Sequence, residues 1–110
     1  MELNEYQRQA HATSKETLIG DSPLLYPVLG LVGESGELAD KVKKLYRDSG
    51  GVMDDDAKLD LMLEAGDVLW YLSELATALN VELETIAELN LDKLRDREHR
   101  GVIGGSGDRR

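Results

Sequence analysis

The chain has no cysteine, so it can build neither a disulfide framework nor a thiolate metal site. Proline is confined to Pro23 and Pro27, which leaves long stretches without a helix breaker. Positive charge is in short supply. Thirteen Lys and Arg against 22 Asp and Glu give a net charge of -9, and a duplex nucleic-acid partner would require a basic footprint. Uninterrupted apolar runs are missing as well: the richest stretch, Leu59 to Leu79, is broken by Asp60, Glu64, Asp67 and Glu74 and cannot span a bilayer. The opening Met-Glu-Leu-Asn-Glu-Tyr has no basic and then apolar pattern of a signal peptide. These absences set the expectation of a soluble cytoplasmic protein that engages neither nucleic acid nor membrane.

What is present points to helix. Apolar residues make up 41% of the 110 positions and charged residues 32%, an ordinary globular balance for one domain. Leu, Ala, Glu and Lys dominate. Leu3 to Leu18 reads as a first helix with Leu3, Tyr6, Ala10 and the Thr17 to Ile19 stretch on its inner stripe. Gly20-Asp21-Ser22-Pro23 marks a break, with Ser22 as a candidate N-cap and Pro27 making the start ambiguous. A second helix then runs to about Asp48 and is closed by Ser49-Gly50-Gly51. Asp54, Asp55 and Asp56 favour the N-terminus of a third helix, which runs to about Leu79. Asn80 interrupts before a fourth helix over Leu83 to His99. The expected organisation is an all-α domain over residues 1–100, a four-helix bundle with a central helical hairpin. Residues 101–110 read as a flexible Gly-rich tail. Helix three is apolar on nearly every face, so full coverage calls for a second subunit and predicts a homodimer or a dimer of dimers.

Helices two and three carry matching patterns. Leu31-x-x-Glu34-x-x-Glu37-Leu38 lines up, thirty residues on, with Leu61-x-x-Glu64-x-x-Asp67-Val68. Each acid pair borders an apolar stripe, and an antiparallel hairpin would gather all four carboxylates into one partly buried cluster. Such a cluster repels itself unless a divalent cation neutralises it. Oxygen-only ligation favours Mg²⁺, with Mn²⁺ as a substitute. A di-iron carboxylate site is disfavoured because neither His11 nor His99 follows a cluster glutamate at the Glu-x-x-His spacing. Gly33, Gly36 and Gly66 lie beside the acids, where close approach of a helix or ligand would explain them. Lys41 and Lys44 continue the Glu34/Glu37 face and read as exposed. Taken alone, one E-x-x-E is far more often a solvated face than a site; the repetition raises its weight. Lys93 and Arg97 are four apart on one face of helix four, the spacing for two cations to grip one phosphate chain or, equally, for a surface ion-pair ladder. Trp70, Tyr71 and Tyr46 offer stacking surfaces for a base, with His11 or Tyr6 as covers, although Trp70 reads first as core.

Three blocks carry a resemblance: Gly30-Leu-Val-Gly-Glu34-Ser-Gly-Glu37-Leu, Glu64-Ala-Gly-Asp67-Val-Leu-Trp-Tyr, and Asn90-Leu-Asp-Lys93-Leu-Arg-Asp-Arg97. Together with the closing Arg100-Gly-Val-Ile-Gly-Gly-Ser-Gly-Asp-Arg, the chain resembles MazG-like nucleoside triphosphate pyrophosphohydrolases over Leu24 to Arg109. The resemblance implies an all-α enzyme that splits a nucleoside triphosphate into monophosphate and pyrophosphate. It implies Glu34, Glu37, Glu64 and Asp67 as catalytic acids and Mg²⁺ ligands, Lys93 and Arg97 as phosphate contacts, and Asn90 as an ordering residue. The first block lacks the adjacent Glu-Glu of many relatives, which favours a short MazG-like branch over a phosphoribosyl-ATP pyrophosphohydrolase. The rival reading from another class is a non-catalytic helical module that binds nucleotide or simply oligomerises.

Overall fold

The computed structural model describes residues 1–15 and 19–110, so the part of the expected inner stripe on Thr17 and Leu18 lies outside the described residues. Four helices follow in order: α1 (Leu3–His11), α2 (Leu25–Ser49), α3 (Asp55–Ala78) and α4 (Leu83–Arg100). Among the described residues there is no β-strand, only an isolated bridge between Ile19 and Ser22. The all-α, four-helix expectation holds. Helix α1 is shorter than expected: the chain turns after His11, where Thr13 Oγ1 donates to the Ala10 carbonyl. No described helix is long and apolar enough to cross a membrane.

The helix ends have local causes. Pro27 falls in the first turn of α2, where a missing N–H costs nothing, and Leu24 precedes the helix. Ser22 is therefore not the N-cap, although its Oγ accepts from the Leu24 N–H at 3.2 Å. Gly50 takes φ 61° and closes α2 by sending its N–H to the Tyr46 carbonyl. Asp54 caps α3, its Oδ1 accepting from the Ala57 N–H at 2.8 Å. Asn80, at φ 56°, breaks the chain between α3 and α4. The first turn of α4 is capped from a distance by α1. Gln7 Oε1 accepts from the Leu83 N–H at 2.7 Å, and Asn4 Oδ1 accepts from the Glu84 N–H at 3.1 Å.

Helices α2 and α3 form the central hairpin, joined by the short turn at residues 50–54 and packed along their lengths. Helix α1 lies against α3 and the start of α4, whereas α2 and α4 do not pack on each other. At about 100° per residue, Leu31, Glu34, Leu38, Lys41 and Leu45 of α2 share the side that meets Leu61, Glu64, Val68 and Leu72 of α3. Among the described residues the buried apolar core is small and comprises Ala10, Pro27, Ala76 and Leu83. The radius of gyration is 16.8 Å, where a compact chain of this length would reach about 13 Å.

Glycine has one decisive role in the hairpin. A Cβ on Gly30 would lie 2.1 Å from the Tyr71 ring, so only glycine lets the two helices meet there. By contrast, a Cβ on Gly33, Gly36 or Gly66 would meet nothing within 4 Å, so close approach within this chain does not explain them. Gly30→Ala is expected to lower stability by about 1–3 kcal/mol, the cost of overpacking a filled contact, despite its better helix propensity. Urea unfolding midpoints of the two proteins at one concentration check it; an unchanged or higher midpoint would refute the close contact.

Candidate functional site

The Gly30–Tyr71 contact fixes the hairpin register. One turn onward along α2 and one turn back along α3 bring Glu34 level with Asp67. Glu34, Glu64 and Asp67 each offer a carboxylate oxygen, and these atoms lie within 4.8 Å of one another. The two acid pairs predicted to converge thus do so through three of their four members. Glu37 is exposed and outside that group, because three residues of helix turn it about 60° away from Glu34. It remains close enough for its charge to act on Glu34.

The electrostatics follow from this crowding. Partial desolvation, then the charges of Asp67, Glu64 and Glu37, raise the Glu34 carboxyl above its ordinary range. Lys41, expected simply to be exposed, places Nζ 3.9 Å from Glu64 Oε1, too long and too solvated to neutralise three acids. Lys44 pairs with Asp40 instead, at 2.7 Å.

An all-carboxylate donor set suits a hard divalent ion. Glu34, Glu64 and Asp67, with one oxygen each within 4.8 Å of the others, are the residues that would hold such an ion. Two of the acids, Glu34 and Asp67, line a cavity of about 300 Å³ together with Trp70 and Tyr71. Its aromatic wall is organised. Trp70 and Tyr71 meet edge to face at 4.9 Å, Tyr26 lies 6.0 Å beyond, and Trp70 Nε1 donates to Thr13 Oγ1 at 2.9 Å. Trp70, which the sequence favoured as core, is therefore only half-buried and faces the cavity. Tyr6 comes in from α1; burial, then the charge of Asp67, pushes its hydroxyl pKa up. His11 is engaged elsewhere, its Nδ1 3.1 Å from the buried Glu74. Tyr46 is exposed at the far end of the hairpin, against Gly51.

Lys93, Arg97 and Asn90 are all on α4, which does not touch α2. Asn90 is exposed. Lys93 Nζ lies 2.9 Å from Asp108 Oδ1, and Arg97, buried in the chain, donates to the Gly107 and Asp108 carbonyls at 3.2 and 2.6 Å. The Lys93 amine, with Arg97 beside it, holds the Asp108 carboxyl below the usual range. Sequence reasoning passed over Asp108. Its only signal was an acid set between glycines and arginines in the closing Gly-Ser-Gly-Asp-Arg-Arg.

The family model of the MazG nucleotide pyrophosphohydrolase domain matches residues 25–102, from the first residue of α2 to just past α4. The chain is also similar to the Gene 37 protein of Mycobacterium phage L5, at 46% identity over 114 positions covering the whole of both proteins. No solved structure matches it at a significant level. The matched span contains the three gathered acids together with Lys93 and Arg97, and the chain belongs to the MazG nucleotide pyrophosphohydrolase domain family.

Proposed function

We propose that this protein is a Mg²⁺-dependent nucleoside triphosphate pyrophosphohydrolase, releasing a nucleoside monophosphate and pyrophosphate in the upkeep of nucleotide pools. The observation that carries this reading is the meeting of Glu34, Glu64 and Asp67 beside an aromatic-walled cavity. Glu34, Glu64 and Asp67, with Glu37 at their edge, are the metal ligands of this reading. A divalent cation held there supplies charge neutralisation for the phosphates and polarises a water molecule. In this reading one of two acids, Glu37 or Glu34, would accept the proton of that water. Trp70 and Tyr71 offer the base a stacking wall. Lys93 and Arg97 contact phosphates, and Asn90 orders that region.

A panel of NTPs, dNTPs and modified nucleotides, assayed with Mg²⁺ and with chelator, tests the chemistry. Monophosphate and pyrophosphate are expected, abolished by chelator. Glu64→Gln is expected to lose at least about 100-fold in turnover, because even residues that only support a ligand are worth about 10–100-fold. Glu37→Gln is expected to lose about 10²–10⁴-fold in kcat. Full turnover by E37Q would dismiss it as the base. Metal-dependent nucleotide binding without turnover across the panel would favour the non-catalytic module.

The acid cluster also has a pH signature. A carboxyl raised in the folded chain costs stability while ionised, and that cost is relieved as pH falls through its raised pKa. The chelated protein is therefore expected to gain a contribution on acidification from neutrality towards the ordinary carboxylate range. Glu34→Gln should already have this gain at pH 7 and lack the pH-dependent part. Thermal melts across that window read both; identical profiles would refute the crowding.

Assembly belongs to the same reading. On α2, Leu25, Leu29, Val32 and Gly36 lie opposite the hairpin contact, with Val32 66% exposed. On α3, Leu59, Met62 and Leu63 lie opposite it too, with Met62 60% exposed; α1 covers this stripe only farther along, at Trp70 to Thr77. A homodimer or dimer of dimers would cover these faces, and the glycines there leave room for a partner backbone. Light scattering is expected to give a dimer or tetramer, and Val32→Glu or Met62→Glu a smaller species. A monomeric wild type at micromolar concentration would refute it.

A further inference from the structure

Residues 101–110 turn back from the end of α4 at Gly101, whose φ is 71°. The segment is tied into one loop by Arg110. Its guanidinium donates to the carbonyls of Val102, Ile103, Gly104 and Gly107 at 3.2, 2.9, 3.0 and 2.5 Å, while Arg100 donates to the Arg110 carbonyl at 2.6 Å. Gly105 and Gly107 take φ 96° and 85°, conformations that allow the tight path. The tail read from the sequence as flexible thus lies against α4, and what it holds there is the cation pair.

Two features of that contact point to a ligand. Arg97 is 5% exposed, yet its Nε–H is buried with no hydrogen-bond acceptor, so the loop serves this guanidinium incompletely. The group meeting Lys93 is a carboxylate that is itself 84% exposed, an ion pair of the kind worth at most about 1 kcal/mol. A strong cation site is held by a weak, removable anion. A phosphate group presents three oxygens to the same donors and pairs with guanidinium at two points.

We propose that the C-terminal loop is an autoinhibitory strap: the Asp108 carboxylate, with the Gly107 and Asp108 carbonyls, occupies Lys93 and Arg97 as an internal stand-in for phosphate, and a pyrophosphate-bearing ligand displaces it. The loop moves about Gly101 with its interior held by Arg110, and its release from α4 breaks the Arg100–Arg110 hydrogen bond together with the Lys93 and Arg97 contacts. This rests on the reading of Lys93 and Arg97 as phosphate contacts.

The test uses the full-length protein with Mg²⁺ and inorganic pyrophosphate as the probe, by calorimetry. Asp108→Asn is expected to bind pyrophosphate about threefold to fivefold more tightly than wild type, the most that loss of an exposed ion-pair competitor can yield. Asp92→Asn, which removes one exposed acid of α4 paired with Arg95 rather than with the loop, is the charge control and should leave affinity unchanged. Equal tightening in both would reduce the effect to net charge and overturn the strap. Weaker binding by D108N would make Asp108 a positioning clip, which also overturns it, as would pyrophosphate binding to neither protein. Because the chain has no cysteine, Ser106→Cys can carry a single environment-sensitive dye. Pyrophosphate should change its emission saturably, and Lys93→Gln should abolish the change; a silent dye under bound pyrophosphate means that the loop stays shut. Turnover of nucleotides is scored separately. Displacement without turnover would sink the proposed reaction and keep the strap, and turnover without displacement would do the reverse.

Discussion

Three carboxylates held within one metal's reach on two facing helices are the constraint around which this chain is arranged. Left alone, Glu34, Glu64 and Asp67 repel one another, and the cost shows in the raised Glu34 carboxyl. Apolar residues flank them on both helices, Leu31 and Leu38 on α2 and Leu61 and Val68 on α3, and the Gly30–Tyr71 contact sets the register. A slip of one residue along either helix would rotate one acid pair about 100° off the contact line. The same register brings Tyr71 and Trp70 beside the acids, so the cavity and the charge cluster share one structural cause.

The cations follow a different plan. Lys93 and Arg97 are on α4, which is docked through Asn4 and Gln7 of α1 and makes no contact with α2. The acids are thereby kept apart from Lys93 and Arg97, and among the described residues Lys41 is the cation that approaches them, at 3.9 Å. That separation leaves the acid cluster crowded. It leaves the cations to be satisfied by some other anion, and the loop carrying Asp108 supplies one. Both halves are charged sites held ready at some cost in stability. The one is left crowded, and the other is filled by a weak substitute.

Much of this was legible in the sequence because it is local. The thirty-residue repeat of acids beside apolar stripes located the hairpin site, the Asp54-Asp55-Asp56 run marked the start of α3, and Gly50 and Asn80 marked chain reversals. What escaped depends on contacts distant in sequence or on small angles. Nothing near Asn4 or Gln7 says that they cap a helix almost eighty residues away. Glu37 and Asp67 have equivalent places in the repeat, yet about 60° of helix rotation turns Glu37 out of the group while the facing helix keeps Asp67 in. Glycine-rich composition argued for a loose tail, since composition does not register one arginine collecting four carbonyls. The family resemblance, in turn, named Lys93 and Arg97 without foreseeing what holds them.

The bare faces follow from length. Helix α1 has nine residues and spans about 14 Å, while α3 has 24 and spans about 36 Å, so α1 can cover well under half of the stripe it lies on. It covers the half that borders the cavity, where Thr13 meets Trp70 and Gln7 meets Thr77. The half carrying Leu59, Met62 and Leu63 is left open, as is the back of α2. Both open faces point away from the hairpin contact and hence away from Glu34 and Glu64. Copies of the chain can therefore associate through them without crowding the acids, and burial there would stabilise the hairpin that holds the charge cluster together. In a chain with so small a core, the proposed assembly and the acid cluster would depend on the same two helices from opposite sides.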